Sequence, residues 1–174
     1  MNIIGNEQIR EYFNNSVKNN DILHSYLCIG TSGIGKRLIA KEFSKKALCI
    51  NGGQNNCSCK SCLCFDGNNH PDFKIINEEE TTIRIDQIRE LTKKVSEKPI
   101  ISNRTIYIIN DCDKMTVEAQ NALLKTLEEP PEYITIILIS SNENLIINTV
   151  KSRCMKLHFQ DIDDSLIKQY CKEE

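Results

Sequence analysis

Two stretches of the chain carry residue types that could do chemistry. The first is GTSGIGKR, Gly30 to Arg37. A nucleoside-triphosphate-binding loop has Gly, four residues, Gly, Lys, and then Ser or Thr. Gly30, Gly35 and Lys36 satisfy that pattern, but Arg37 stands where the magnesium-holding hydroxyl belongs. Such a loop works because backbone N–H groups and the next helix N-terminus face the phosphates, while the lysine neutralises their charge. Gly30, Gly33 and Gly35 permit that backbone, and Lys36 supplies the charge. The second stretch holds Cys49, Cys57, Cys59, Cys62 and Cys64, five of the nine cysteines of the chain. In a reducing compartment, such crowding reads as metal ligation before it reads as disulfides.

Magnesium in a working site also needs an Asp at the end of another strand. The candidate strand is TIYII, Thr105 to Ile109, followed by Asn110, Asp111, Cys112 and Asp113. By register, Asn110 falls at the magnesium-side carboxylate and Asp111 at the water-activating Glu. An amide is a weaker partner for a hard cation, and Asp is one methylene shorter than Glu. Asp113 serves as an alternative carboxylate if the register shifts. Departures at Arg37, Asn110 and Asp111 together predict impaired or absent hydrolysis and leave nucleotide binding open.

The elements that must position these groups are legible as alternating runs. Ile9, Tyr12, Phe13 and Val17 recur at helical spacing over roughly residues 6–19. SYLCIG, Ser25 to Gly30, reads as a buried strand feeding the loop, and Ile39, Phe43 and Ala47 mark a helix running to about Cys49. Residues 50–72 are rich in Asn, Gly and Cys, with no periodicity and little to bury, and would be disordered unless something other than a core organises them. FKII, Phe73 to Ile76, is a second strand. A helix over about Asp86–Glu97 has Asp86 as N-cap and Pro99 as its stop. Thr116 caps a helix carrying Ala119, Leu123, Leu124 and Leu127, which ends at Pro130 and Pro131. ITIILIS, Ile134 to Ser140, is the most β-branched run. Ser140, Ser141 and Asn142 after it read as a strand-end cap. Apolar strands alternating with helices specify an α/β fold with a largely parallel sheet. DIDDSLIKQY, Asp161 to Tyr170, begins another helical pattern, read as the start of a truncated second domain.

Composition narrows the function classes. The chain has 174 residues, 40% hydrophobic and 26% charged, with net charge −2. That balance argues against a surface devoted wholly to nucleic acid and leaves room for a local patch. No apolar run approaches the ~20 residues of a membrane span, and MNIIGNEQIREYF lacks the form of a secretion signal. The expectation is a cytoplasmic protein. Cys28, Cys112, Cys154 and Cys171 are scattered and read as small buried hydrophobes. Lys45, Lys46, Lys93 and Lys94 read as solvated helix faces.

The run NALLKTLEEPPEYITIILISSNENLIINTVKSRC, Asn121 to Cys154, joins GTSGIGK, HSYL (His24 to Leu27), the cysteine cluster and NHPDF (Asn69 to Phe73) in one pattern. Over about residues 1–165 the chain resembles the delta-prime subunits of the bacterial DNA polymerase III clamp loader, an AAA+ family. The resemblance implies a P-loop AAA+ parallel sheet flanked by helices over 1–160, with a small zinc module inserted at 49–64 and a helical lid domain beginning at 161–174. It implies an assembly with delta and with tau or gamma ATPase subunits, which loads the sliding clamp onto primed DNA. Arg153, in the Ser152-Arg153-Cys154 motif, would be an arginine finger acting in trans on the ATP of a neighbouring subunit; without that motif it would read as the partner of a surface carboxylate. In active relatives a polar residue that senses the γ-phosphate follows the last apolar strand, where Ser140, Ser141 and Asn142 stand. The chain would then have no ATPase of its own, and its enzyme class by assembly would be that of a DNA-directed DNA polymerase holoenzyme. This fragment would be monomeric alone. The alternative is an active ATPase of the tau/gamma type, for which Lys-Thr in the loop and Asp-Glu on the strand would be expected.

The family also implies structural zinc. Its spacing is one Cys at the helix end and then three separated by two residues each. Cys49, Cys59 and Cys62 fit, Cys57 is one residue short, and Cys64 is the reserve ligand. Four thiolates make a closed tetrahedral site with no place for a reactive water. His70 is the remaining candidate ligand.

Overall fold

A computed structural model describes residues 4–77 and 82–162. Five strands form one parallel sheet in the order β2-β3-β4-β1-β5. They are β1 (Ser25–Ile29), β2 (Phe73–Ile76), β3 (Thr105–Ile109), β4 (Ile134–Ser140) and β5 (Met155–His158). The three central strands β1, β3 and β4 are buried at every position. This is why they read as unbroken apolar runs.

Alternation along each strand feeds two separate cores. Tyr26 and Cys28 face one core with Ile106, Ile108, Ile137 and Ile139. Leu27 and Ile29 face the other with Tyr107, Ile109, Ile136 and Leu138. The first core is covered by α1 (Glu7–Lys18) and α2 (Lys36–Leu48). Phe13 of α1 stacks on Phe43 of α2 with ring centroids 4.2 Å apart, and both meet the ring of Tyr26 edge-on. Each such ring, fully buried, contributes roughly 1.5–3 kcal/mol. The second core is covered by α4 (Ile85–Lys94) and α5 (Val117–Glu128) through Ile88, Leu91, Leu123 and Leu127. Thr116 caps α5, its side chain accepting from Ala119 N at 3.2 Å.

Some expected elements differ. Between α2 and β2 lies a helix, α3 (Lys60–Asp66), in the segment read as irregular. Its N-cap is Cys59, whose sulfur accepts from Cys62 N, so a cysteine does the work usually given to Ser or Asp. The fourth helix begins before Asp86: Arg84 is its N-cap, and Gln87 Oε1 accepts from Arg84 N at 2.9 Å. Asp86 is instead an acidic residue of the first turn, favourable to the helix dipole. The short helix α6 (Asn148–Lys151) and edge strand β5 were not anticipated. The helical pattern expected beyond Asp161 lies, from residue 163, outside the described residues.

Candidate functional site

The phosphate loop sits where an open parallel sheet places it, at the carboxyl end of β1 and the amino end of α2. Gly33 and Gly35 hold φ values of 85° and 86°, a region that other residues seldom adopt. Gly30 is demanded by crowding: a Cβ there would lie 2.7 Å from Ile34 Cδ1 and 2.9 Å from both Cβ and O of Phe159. Phe159 follows β5, and its N–H donates to Ile29 O at 2.7 Å. The end of the fifth strand therefore presses against the base of the loop.

Lys36 is turned inward. It is 6% exposed, and its ammonium donates to the loop's own carbonyls, Gly30 O at 2.5 Å and Thr31 O at 2.7 Å. Burial lowers its pKa, opposed by the charges of Asp111 and Asp113. Arg37 is half-buried on the first turn of α2.

Asn110 and Asp111 end β3, one strand beyond β4 on the same carboxyl edge. Asn110 receives a bond from Asn77 Nδ2 on its carbonyl at 3.2 Å. Asp111 has φ 48° and pairs with Lys114 at 2.8 Å. Asp113 accepts from Ser141 N at 3.2 Å. Ser140 Oγ accepts from Asn142 N at 3.0 Å, and Asn142 Oδ1 from Asn144 N at 3.1 Å. These polar residues at the end of β4 act as caps.

Four of the five clustered cysteines come together, although Cys57 departs from the family spacing. Sγ atoms of Cys49, Cys57, Cys59 and Cys62 all lie within 4.8 Å of one another, so these four could hold a metal ion. Cys49 Sγ and Cys59 Sγ are 3.9 Å apart. A tetrahedral ion with bonds of ~2.3 Å to sulfur requires S–S edges of about 3.8 Å. Burial alone would raise the Cys59 thiol, but the N–H groups of Cys62 and Ile50 bring it down to about 6. Cys62 is pushed well up by burial and by its thiol neighbours Cys59 and Cys49. Several thiolates so close repel unless a cation lies among them, and this donor set fits one.

The reserve Cys64 is outside the cluster. It lies two residues beyond Cys62 on α3, a turn of ~200° at ~100° per residue, so it faces away. His70 is not a ligand either. Its Nδ1 accepts from Asp72 N at 3.1 Å, which leaves the proton on Nε2, 2.9 Å from Ser61 Oγ. Ser61 and Ser102 both donate to Leu48 O, at 2.7 and 2.6 Å. Asp72 accepts from the N–H groups of Ile100, Ile101 and Ser102 at 2.6, 2.8 and 2.8 Å. This buried node, absent from the sequence reading, ties the cysteine segment to the start of β2 and to the loop before β3. Cys28 and Cys112 are fully buried and Cys154 partly so. Burial raises the Cys28 thiol to about 12 and Cys154 to about 11. Cys171 lies outside the described residues.

Arg153 is at the opposite end of the sheet. It precedes β5, whose Met155 pairs with Tyr26, and its carbonyl accepts from Ser25 Oγ at 2.6 Å, at the very start of β1. The five residues of β1 span about 16 Å at ~3.3 Å each, and the loop begins beyond them. Arg153 Nη2 meets Glu128 Oε1 at 2.6 Å, and Nη1 donates to Thr149 O at 2.8 Å and Ser152 Oγ at 3.3 Å. The segment bearing it is pinned by the buried Gln120 of α5, which donates to Leu145 O at 3.0 Å and accepts from Ile147 N at 2.9 Å. Neither Glu128 nor Gln120 was identified from the sequence, because their partners lie about 25 residues away across β4 and no periodicity links them.

A family model described as DNA polymerase III, delta subunit, matches residues 5–163. The delta' subunit of DNA polymerase III from Bacillus subtilis is 35% identical over 161 residues, which are 89% of this chain and 49% of that one. The tau/gamma subunit from Haemophilus influenzae is 34% identical over 170 residues, 97% of this chain and 25% of that one. The chain thus spans between a quarter and a half of the length of these relatives. Identity does not separate the two kinds. The crystal structure of a DNA polymerase III gamma subunit-related protein from Thermotoga maritima shares the fold, with TM-score 0.68 at 24% identity over 95% of this chain and 49% of that one.

Proposed function

The chain belongs to the clamp-loader subunit family of DNA polymerase III, and on that premise we propose that it is a non-catalytic subunit of the delta-prime type. It scaffolds the loader and supplies Arg153 as an arginine finger to the ATP held by a neighbouring tau/gamma-type subunit. A guanidinium placed on transition-state charge is worth on the order of 10³–10⁵ in rate in the comparable GTPase case. The partners are that ATPase subunit and delta, with the sliding clamp and primed DNA reached through the complex, in the cytoplasm. Among the described residues no helix is long and apolar enough to cross a membrane.

The observation that carries this reading is the separation of Arg153 from the loop. With the length of β1 between them, Arg153 has no route to a phosphate in its own chain, and its chemistry is available only to a neighbour. At the other end, Arg37 brings no oxygen ligand for magnesium, Asn110 no carboxylate, and Asp111 stands one methylene short of a water-activating Glu. The same three features weigh against the active tau/gamma-type ATPase.

In this reading the metal of the cysteine cluster is zinc, held by Cys49, Cys57, Cys59 and Cys62 as a closed structural site. When bound it adds to the hold that Phe65, packed into the core beneath α2, and the His70–Asp72 node already have on this segment. The segment is thus not without a core, contrary to what its composition suggested. The residues from 161 onward begin a lid domain.

The test is DNA-stimulated ATP hydrolysis by a loader reconstituted with the full-length protein, compared with its Arg153→Ala and Lys36→Ala forms. A large fall with the first and none with the second is expected. An equal fall with Lys36→Ala at unchanged assembly overturns the reading.

A further inference from the structure

We infer that Glu128 is a competing counter-ion that sets how firmly Arg153 can grip a neighbour's phosphate. The inference rests on Arg153 being the finger. Its support is the way the guanidinium is held in the free chain. A guanidinium grips phosphate through two parallel N–H bonds, and both terminal nitrogens of Arg153 are already engaged. Nη2 is 2.6 Å from Glu128 Oε1, while Nη1 donates to Thr149 O and Ser152 Oγ. Glu128 is the last residue of α5 and Arg153 lies just past α6. Both elements are packed into the same core by Leu127 and Val150, so the pair is presented by rigid supports. The carboxylate side chain is 47% exposed and the guanidinium 33%, which leaves the pair open to an incoming anion.

Engagement with ATP is therefore an exchange: the arginine leaves a monovalent carboxylate for a terminal phosphate of higher charge. An exposed ion pair of this kind holds its partners about two- to five-fold in population, enough to weaken the grip without preventing it. A neighbour without a terminal phosphate provides no replacement, and the arginine stays with Glu128.

The test is a double-mutant cycle in the reconstituted loader with the full-length protein: Glu128→Gln, Arg153→Ala, and both together. The readouts are DNA-stimulated ATP hydrolysis at subsaturating ATP and the affinity of this subunit for the ATPase subunits with ATP or ADP present. Glu128→Gln is expected to raise hydrolysis and ATP-state affinity by about two- to five-fold. ADP-state affinity should not move, and the gain should vanish in the Arg153→Ala background. No change or a fall with Glu128→Gln, while Arg153→Ala alone still lowers hydrolysis, overturns the inference and leaves the finger in place. A gain that survives without Arg153 overturns it equally, because the carboxylate would then act elsewhere. No effect of Arg153→Ala removes the finger reading itself. Circular dichroism of each variant separates these outcomes from misfolding.

Discussion

The two ends of the sheet have been treated differently. At the carboxyl end, Lys36 is buried and donates to Gly30 O and Thr31 O, and Phe159 packs against the base of the loop. At the amino end, Arg153 is partly exposed, held by one carboxylate and the tip of a short helix, on a segment anchored by Gln120. A cation that must leave its partner to act is kept near the surface. Lys36, by contrast, is buried and donates to carbonyls of its own loop. The same residue class thus takes opposite fates according to whether its partner lies inside or outside the chain.

The largest expected effect strikes at the amino end. Arg153→Lys keeps the charge but loses the planar fork. Hydrolysis in the reconstituted loader should fall at least tenfold, nearly as far as with Arg153→Ala, at a cost of about 1.4 kcal/mol or more in the barrier. Near-normal hydrolysis would mean that charge alone suffices.

Next in size is the cysteine cluster, which the His70–Asp72 node joins to the amino-end starts of β2 and β3. Cys62→Ser, or chelation, should cost on the order of 4 kcal/mol, lowering Tm by about 8–16 °C for a chain of this size. Cys64→Ser should leave Tm unchanged, and mass spectrometry under native conditions should count one zinc per chain in the Cys64→Ser form.

At the carboxyl end the change should touch stability alone. Lys36→Ala frees two carbonyls from their shared ammonium, costing about 1–2 kcal/mol in denaturant unfolding, while loader hydrolysis holds. The smallest effect belongs to the node beneath the cysteine segment. Burial lowers the His70 pKa, opposed by Asp72. The unfolded chain therefore takes up this proton first, near pH 6.5. Stability from the neutral ring is complete above that value and is lost as pH falls to and through the lower folded value. His70→Gln should flatten that part of the pH profile of Tm. A profile unchanged by the substitution would exclude His70 as its source.

What the sequence disclosed follows the apolar run. Strands β1, β2, β3 and β4 were legible as such runs, and α5 by its Thr116 cap. Edge strand β5, MKLH, was not, because Lys156 and His158 break its apolar pattern, whereas edge strand β2, also with a single buried residue, ends on two β-branched isoleucines. Helix α3 escaped because Asn, Gly and Cys suppress the apolar period, and its start depends on a cysteine acting as a cap. Four thiols could be named from spacing and resemblance, but excluding Cys64 required the helix that turns it away. The inward fold of Lys36 and the hold of Glu128 on Arg153 are contacts between side chains and groups that no local pattern encodes.

The sheet order also sets when the protein can fold during synthesis. β1 is made among the first thirty residues, yet Leu27 pairs with Leu138 on one side and Lys156 on the other, partners that emerge about 110 and 130 residues later. Until then the strand that carries the phosphate loop has neither edge satisfied. Its apolar residues Tyr26, Leu27, Cys28 and Ile29 wait exposed on the nascent chain, while the clustered cysteines Cys49, Cys57, Cys59 and Cys62 lie close in sequence and can come together early. The centre of the sheet is thus a late event, and the ribosome must release nearly the whole domain before either end of that sheet exists.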